Sequence, residues 1–136
     1  MEVISTQGSG PVLGCKVEIE AIKSILATPF EDLKQKKFAE GPYDAETFKN
    51  TLITGQKGQV GHLNFLSGIT ELVFMVKAMD EGVVPFIYGL EEPIDDQLNF
   101  VRHGDLKKKN FTKMMKFAMG FGGNMSSVAL EKYSHL

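Results

Sequence analysis

Three glycine clusters, each following a short apolar run, constrain this chain more than any other feature. Gly8, Gly10 and Gly14 follow Glu2-Val3-Ile4-Ser5-Thr6. Gly55, Gly58 and Gly61 follow Thr51-Leu52-Ile53-Thr54. Gly120, Gly122 and Gly123 follow Lys113-Met114-Met115-Lys116-Phe117-Ala118-Met119. Glycine adopts backbone conformations closed to other residues, so such clusters mark tight loops where regular elements end. The β-branched runs ahead of the first two loops suit strands. Behind the first loop, Val17, Ile19, Ala21, Ile22, Ile25 and Leu26 recur at spacings of three and four, which predicts a helix from Val17 that ends before Pro29. Behind the second, Leu63, Leu66, Ile69, Leu72, Val73, Val76 and Met79 do the same. Phe65 and Phe74 widen that apolar surface, so this helix is expected to be buried on most sides and to end at Asp80-Glu81-Gly82.

The intervening residues 30–48 are polar and contain Gly41-Pro42, which suits an exposed excursion with room for a helical turn. Its basic cluster Lys34-Gln35-Lys36-Lys37 is expected to be a solvated face, and Lys107-Lys108-Lys109 a solvated loop. The tail carries strand-like runs at Val83–Tyr88, Leu98–Val101, Lys113–Met119 and Val128–Lys132, the last two separated by the third glycine turn. Helices alternating with strands, then paired strands, imply an α/β layered sheet in a single domain over residues 1–136.

Composition narrows the functional classes. Apolar residues at 43% are enough to build one core in a chain of this length. A formal charge of -2 supplies no electrostatic argument for nucleic acid or an anionic membrane surface. The single cysteine, Cys15, excludes an internal disulfide framework, and no Cys/His spacing suggests a metal site. No apolar run reaches 18 residues, so a membrane-spanning helix is not expected. The opening residues Met1-Glu2-Val3-Ile4-Ser5 lack the order of a signal or transit peptide, so any targeting signal is internal, unrecognised or already removed.

Three stretches, in order, resemble motifs of the β-ketoacyl synthases. Gln7-Gly8-Ser9-Gly10-Pro11-Val12-Leu13-Gly14-Cys15-Lys16-Val17-Glu18 resembles the family's His-Gly-Thr-Gly-Thr-Pro-Leu-Gly-Asp-Pro-Val-Glu motif. Lys57-Gly58-Gln59-Val60-Gly61-His62-Leu63, with Gly68 and Glu71 behind it, resembles Lys-Ser-x-x-Gly-His-Leu and the helix that follows. Gly120-Phe121-Gly122-Gly123-Asn124 resembles the closing Gly-Phe-Gly-Gly-Thr-Asn turn. Between them, Val83-Val84-Pro85 and Leu90-Glu91-Glu92-Pro93 resemble the family's Val-x-Pro and Leu-Glu-x-Pro segments. The resemblance covers the C-terminal half only. It implies half of a thiolase-like fold: a mixed sheet with two main helices, of the kind that packs face to face with a second, similar half. The family's nucleophilic cysteine belongs to that other half, and no counterpart of it is expected in these residues.

What the resemblance implies about chemistry can be placed residue by residue. Ketosynthases perform a decarboxylative Claisen condensation, with the acyl chain carried on the cysteine as a thioester. Two histidines stabilise the enolate in the manner of an oxyanion hole, and no cofactor is implied. The second histidine's position is filled by His62 and the neighbouring lysine's by Lys57. Glu71 matches the buried glutamate, which is expected to pair with Lys57 or with loop amides, and Phe121 matches the gating phenylalanine. The first histidine's position holds Gln7, which can donate a hydrogen bond but cannot titrate. Cys15 stands at an aspartate position of the motif, which argues against a replacement nucleophile. The glycines match better than the reactive residues around them, the pattern of a fold retained after its chemistry was released.

Three functional readings follow. The first is a non-catalytic ketosynthase-like half-domain serving as a structural or accessory subunit of a larger complex. A partner would cover its exposed face, and a mitochondrial setting is expected ahead of a cytoplasmic one. The second is the C-terminal half of a split β-ketoacyl-ACP synthase completed by a partner chain. The third is a module that binds acyl chains or acyl carrier protein without turnover.

Overall fold

The computed structural model describes residues 1–105 and 107–133. Strand β1 (Val3–Ser5) runs through the glycine loop into helix α1 (Val12–Ala27). The short helix α2 (Phe30–Lys34) and a 3-10 turn (Ala45–Phe48) lead to β2 (Leu52–Thr54). One turn of helix, α3 (Lys57–Val60), and a 3-10 turn (Asn64–Leu66) precede α4 (Ser67–Glu81). Then come the short strands β3 (Val83–Val84), β4 (Asn99–Phe100) and β5 (Lys107–Lys108). The long hairpin of β6 (Lys113–Met119) and β7 (Met125–Glu131) closes the fold.

Five strands form one mixed sheet in the order β4-β2-β1-β6-β7. β1 is parallel to both β2 and β6, β2 is parallel to β4, and β7 returns antiparallel to β6. The register aligns Val3 with Leu52 and Met114, and Ser5 with Thr54 and Lys116. Side chains alternate along a strand, so these two rows share one face of the sheet. That face packs under α4, where Val3, Leu52 and Met114 join Met75, Ala78 and Met79 in one core. The other face carries Ile4 and Ile53, which pack with Ile19 and Ile22 of α1 and with Phe48. The result is the expected α/β arrangement, a mixed sheet flanked by two main helices. Phe48, from the polar stretch 30–48, is fully buried and anchors that stretch in the α1-side core.

Four local expectations need correction. Helix α1 begins at Val12, five residues before Val17, and takes Val12-Leu13-Gly14 out of the glycine loop. Pro11 stands just ahead with φ -59, already helical in φ, and has no N–H to leave unsatisfied. Only Gly8 and Gly10 use positive φ in that loop.

Helix α4 is not buried on most sides. Its buried stripe is Ser67, Glu71, Met75, Ala78 and Met79, whereas Ile69, Val73, Phe74 and Val76 face outward, with Leu66 just ahead of them. The apolar residues occupy two faces of the helix, and the sheet covers one. Gly82 then stops the helix with φ 66, and a Cβ there would collide with Asn110 Oδ1.

The expected tail strands at 83–88 and 98–101 shrink to the two-residue pairings of β3 and β4. Lys107 and Lys108 are not loop residues, since they pair with Val84 and Val83 in a two-stranded sheet. Lys109 Nζ donates to Asn50 O at 3.0 Å.

Candidate functional site

The ends of β1 and β6 meet the start of α3 and the inner face of α4, and a polar cluster fills the junction. Glu71 projects inward from α4 and is 0% exposed. Lys57, the first residue of α3, places Nζ 2.5 Å from Glu71 Oε1. Lys116, on β6, places its ammonium against Oε2. Each lysine also holds a backbone carbonyl where β1 runs into the glycine loop. Lys116 Nζ donates to Thr6 O at 2.6 Å, and Lys57 Nζ donates to Gln7 O at 2.5 Å. Glu18, from α1, takes the opposite side of the same turn, with Oε1 accepting from Gln7 N and Oε2 from Gly8 N at 2.5 and 3.0 Å. Two lysines and two glutamates therefore balance, which is how buried charge is tolerated. Burial holds the Lys116 ammonium below the usual lysine range. The attraction of Glu71 opposes that shift and the positive charge of Lys57 adds to it.

Gln7 is buried, and its side-chain Nε2 donates to Met119 O at 3.3 Å. His62 is exposed in the segment between α3 and α4, and its Nδ1 accepts the Asn64 N–H at 3.1 Å. That bond leaves Nε2 to carry the proton of the neutral ring. Gln7, His62 and Lys116 line one groove of about 1030 Å³, whose apolar wall includes Phe65, Ile69 and Met125. An amide N–H and an imidazole N–H are donors of the kind that hold a carbonyl or enolate oxygen in an oxyanion hole, and both residues line this groove.

The five residues singled out from the sequence thus separate into layers. Gln7 and His62 line the groove, and Glu71 lies beneath it. Lys57 joins Glu71 but lines a different cavity of about 420 Å³, together with Cys15 and Glu18. Phe121 lies in a 3-10 turn, Phe121–Gly123, and its side chain lies outside the described residues. Two members of the cluster escaped the sequence reading, Glu18 and Lys116. The signal for Lys116 was available: it shares an inward face with Met114 in an otherwise apolar strand, an unusual place for an unpaired charge. Glu18 closes the first motif but showed no sign of turning back to the loop.

Among the described residues, no group of three or more His, Cys, Asp or Glu side chains is placed to hold a metal ion. None of the described helices is long and apolar enough to cross a membrane.

Comparison with known proteins places this architecture. The family profile described as "Beta-ketoacyl synthase, C-terminal domain" matches residues 1–91, and the chain belongs to that family. The fold is that of a C-terminal ketosynthase half-domain, thiolase-like in architecture. A search of curated proteins finds no match. Among solved structures, the chain is similar to the ketosynthase from module 1 of the bacillaene synthase of Bacillus amyloliquefaciens FZB42. That match has a TM-score of 0.73 and 16% identity, over 100% of this chain and 23% of that one. Ketosynthase twelve of the bacillaene polyketide synthase in Bacillus amyloliquefaciens matches with TM-score 0.72 and 17% identity, over 98% and 23%. The ketosynthase from module 6 of the bacillaene synthase of Bacillus subtilis 168 matches with TM-score 0.71 and 16% identity, over 98% and 23%. The chain therefore spans less than a quarter of the length of the ketosynthases it matches.

Proposed function

We propose that this domain is a non-catalytic ketosynthase-like building block, an accessory subunit that docks into a larger assembly through the outer face of α4. The observation that carries this reading is the apolar surface formed by Phe65, Leu66, Ile69, Val73, Phe74 and Val76, all exposed. Phe65 is 99% exposed. Covering a large apolar side chain contributes about 1.5–3 kcal/mol, so six exposed on α4 and the turn just ahead of it are a strong drive to association. The partner is a chain resembling the other half of a ketosynthase, or a further subunit of the complex. Two features support a non-catalytic role. Gln7 cannot take up or release a proton, and one N–H of its side-chain amide is directed to Met119 O. Cys15 lines the smaller cavity instead of the groove that holds Gln7 and His62. Native mass spectrometry of the protein purified from its source tests the reading. Recovery inside a defined complex is the expected result, and a free, stable monomer contradicts it.

A second reading is favoured by one observation, the presence of His62 and Gln7 on the same groove above a held Lys57–Glu71 pair. In that reading the domain completes a β-ketoacyl-ACP synthase with a partner that supplies the nucleophile. Decarboxylation of a malonyl thioester by the purified assembly, abolished in His62→Ala, distinguishes it from the first.

A further inference from the structure

We infer that Lys116 is a positioning residue of the groove: by holding the Thr6 carbonyl and one oxygen of Glu71, it fixes the turn that carries Gln7. The inference goes beyond the proposed function and stands whether or not the groove catalyses anything.

The turn cannot fix itself. Gly8 and Gly10 both adopt positive φ, and glycine-rich backbone has many alternatives of similar energy. Its direction is set from outside by four groups. Thr6 N–H is held by Thr54 O at 2.8 Å. Glu18 takes the N–H groups of Gln7 and Gly8. Lys57 takes the Gln7 carbonyl, and Lys116 takes the Thr6 carbonyl. Lys116 thus supplies the hold on the carbonyl that immediately precedes Gln7. Its link to Glu71 ties that carbonyl to α4 as well as to the sheet end.

The energetic setting argues that the ammonium is there for what it holds. Lys116 is 3% exposed and sits on the inward face of β6, where Met114 packs as core. An apolar side chain could fill that place without desolvating a charge. The charged groups around the ammonium come from three other elements: Glu71 on α4, Lys57 on α3 and Glu18 on α1. Each oxygen of Glu71 thus faces one lysine ammonium.

The test is Lys116→Met in the full protein, with any co-purifying partner retained. Amide hydrogen exchange and the side-chain amide signals of Gln7 are the readout. The variant is expected to keep the exchange protection of the β6–β7 hairpin. Exchange at Gln7 and Gly8 should rise about tenfold, as for the loss of one charged hydrogen bond, and the Gln7 side-chain signals should shift. A folded variant in which Gln7 and Gly8 are unchanged overturns the inference. If the variant does not fold, the wild-type protein supplies the test. On raising the pH, the 13C shift of the Thr6 carbonyl should follow the titration of Lys116 Nζ. A carbonyl shift indifferent to that titration overturns the inference equally.

Discussion

Both sides of helix α4 depart from the usual rule. The side facing the sheet carries Glu71, fully buried between two lysines, beside Met75, Ala78 and Met79. The side facing away carries Ile69, Val73, Phe74 and Val76, all exposed. Helix α1, on the opposite face of the sheet, mixes the two on its outside, with Val17 next to Lys16 and Glu20. The difference teaches that the apolar exterior of α4, the surface proposed above for docking, is left uncovered, while the charged interior is complete because each ion has its counter-ion. It also explains why the apolar spacing of α4 misleads. Periodicity identifies a helix face but carries no information about which of two apolar faces meets the sheet.

The contrast can be broken most severely from inside. Glu71→Gln leaves two buried ammonium groups facing a neutral amide, and breaking a buried pair costs about 3–5 kcal/mol. Urea denaturation should show a loss of that order, and a loss below about 1 kcal/mol would mean that the cluster is solvated and the inner face ordinary. The outer face should behave in the opposite way. Val73→Asp is expected to change the stability of the chain itself by less than about 0.5 kcal/mol, as exposed substitutions do. The same change should weaken capture of the partner about ten- to a hundredfold, matching loss of one buried apolar side chain. Native mass spectrometry of wild type and variant at matched concentrations measures it. An outer-face aspartate that unfolds the chain as severely as Glu71→Gln erases the distinction between the faces.

A finer test uses pH. Burial lowers the folded-state pKa of Lys116 below the ordinary 10.5. In the window between the lowered value and 10.5 the unfolded chain binds more protons than the folded one. The contribution of this group to stability therefore rises with pH across that window and is flat below it. Denaturation midpoints measured toward alkaline pH should show this rise in wild type and lose it in Lys116→Met. The smallest effect belongs to the half-buried Glu2, whose carboxylate accepts from the Thr112 and Lys113 N–H groups, both at 2.9 Å. The bond from Thr112 chiefly holds its pKa below 4.5. Its stabilisation is present above that value and fades as pH falls through the lowered one, so Glu2→Gln should flatten the acid limb of the stability curve slightly without touching the alkaline limb.

Much of the fold was legible because its signals are local. The β-branched runs at Val3-Ile4 and Leu52-Ile53 became the central parallel strands, and the third glycine turn separates β6 from β7 as expected. Glu71 was expected to pair with Lys57 or with loop amides, and the structure pairs it with Lys57. The two-residue strands β3, β4 and β5 were illegible in detail, because pieces so short exist only through their partners. The pairing of Lys107 and Lys108 with β3 belongs here, since a lysine run carries no strand signal of its own. Of the candidate site, Gln7 and His62 were found by motif and share the groove, whereas Lys116 and Glu18 were found only in space.

The sequence by itself determined the family, the two central parallel strands with the main helices behind their loops, the final hairpin, and the places where glycine lets the backbone turn. These depend on residues near one another along the chain. Only the tertiary structure decided that Lys116 and Lys57, 59 positions apart, would share one carboxylate, and that the outer side of α4 would be left uncovered. Those outcomes depend on which surfaces meet. That is set by the register of β1 against β6 and by the crossing of α4 over the sheet, which no local pattern encodes.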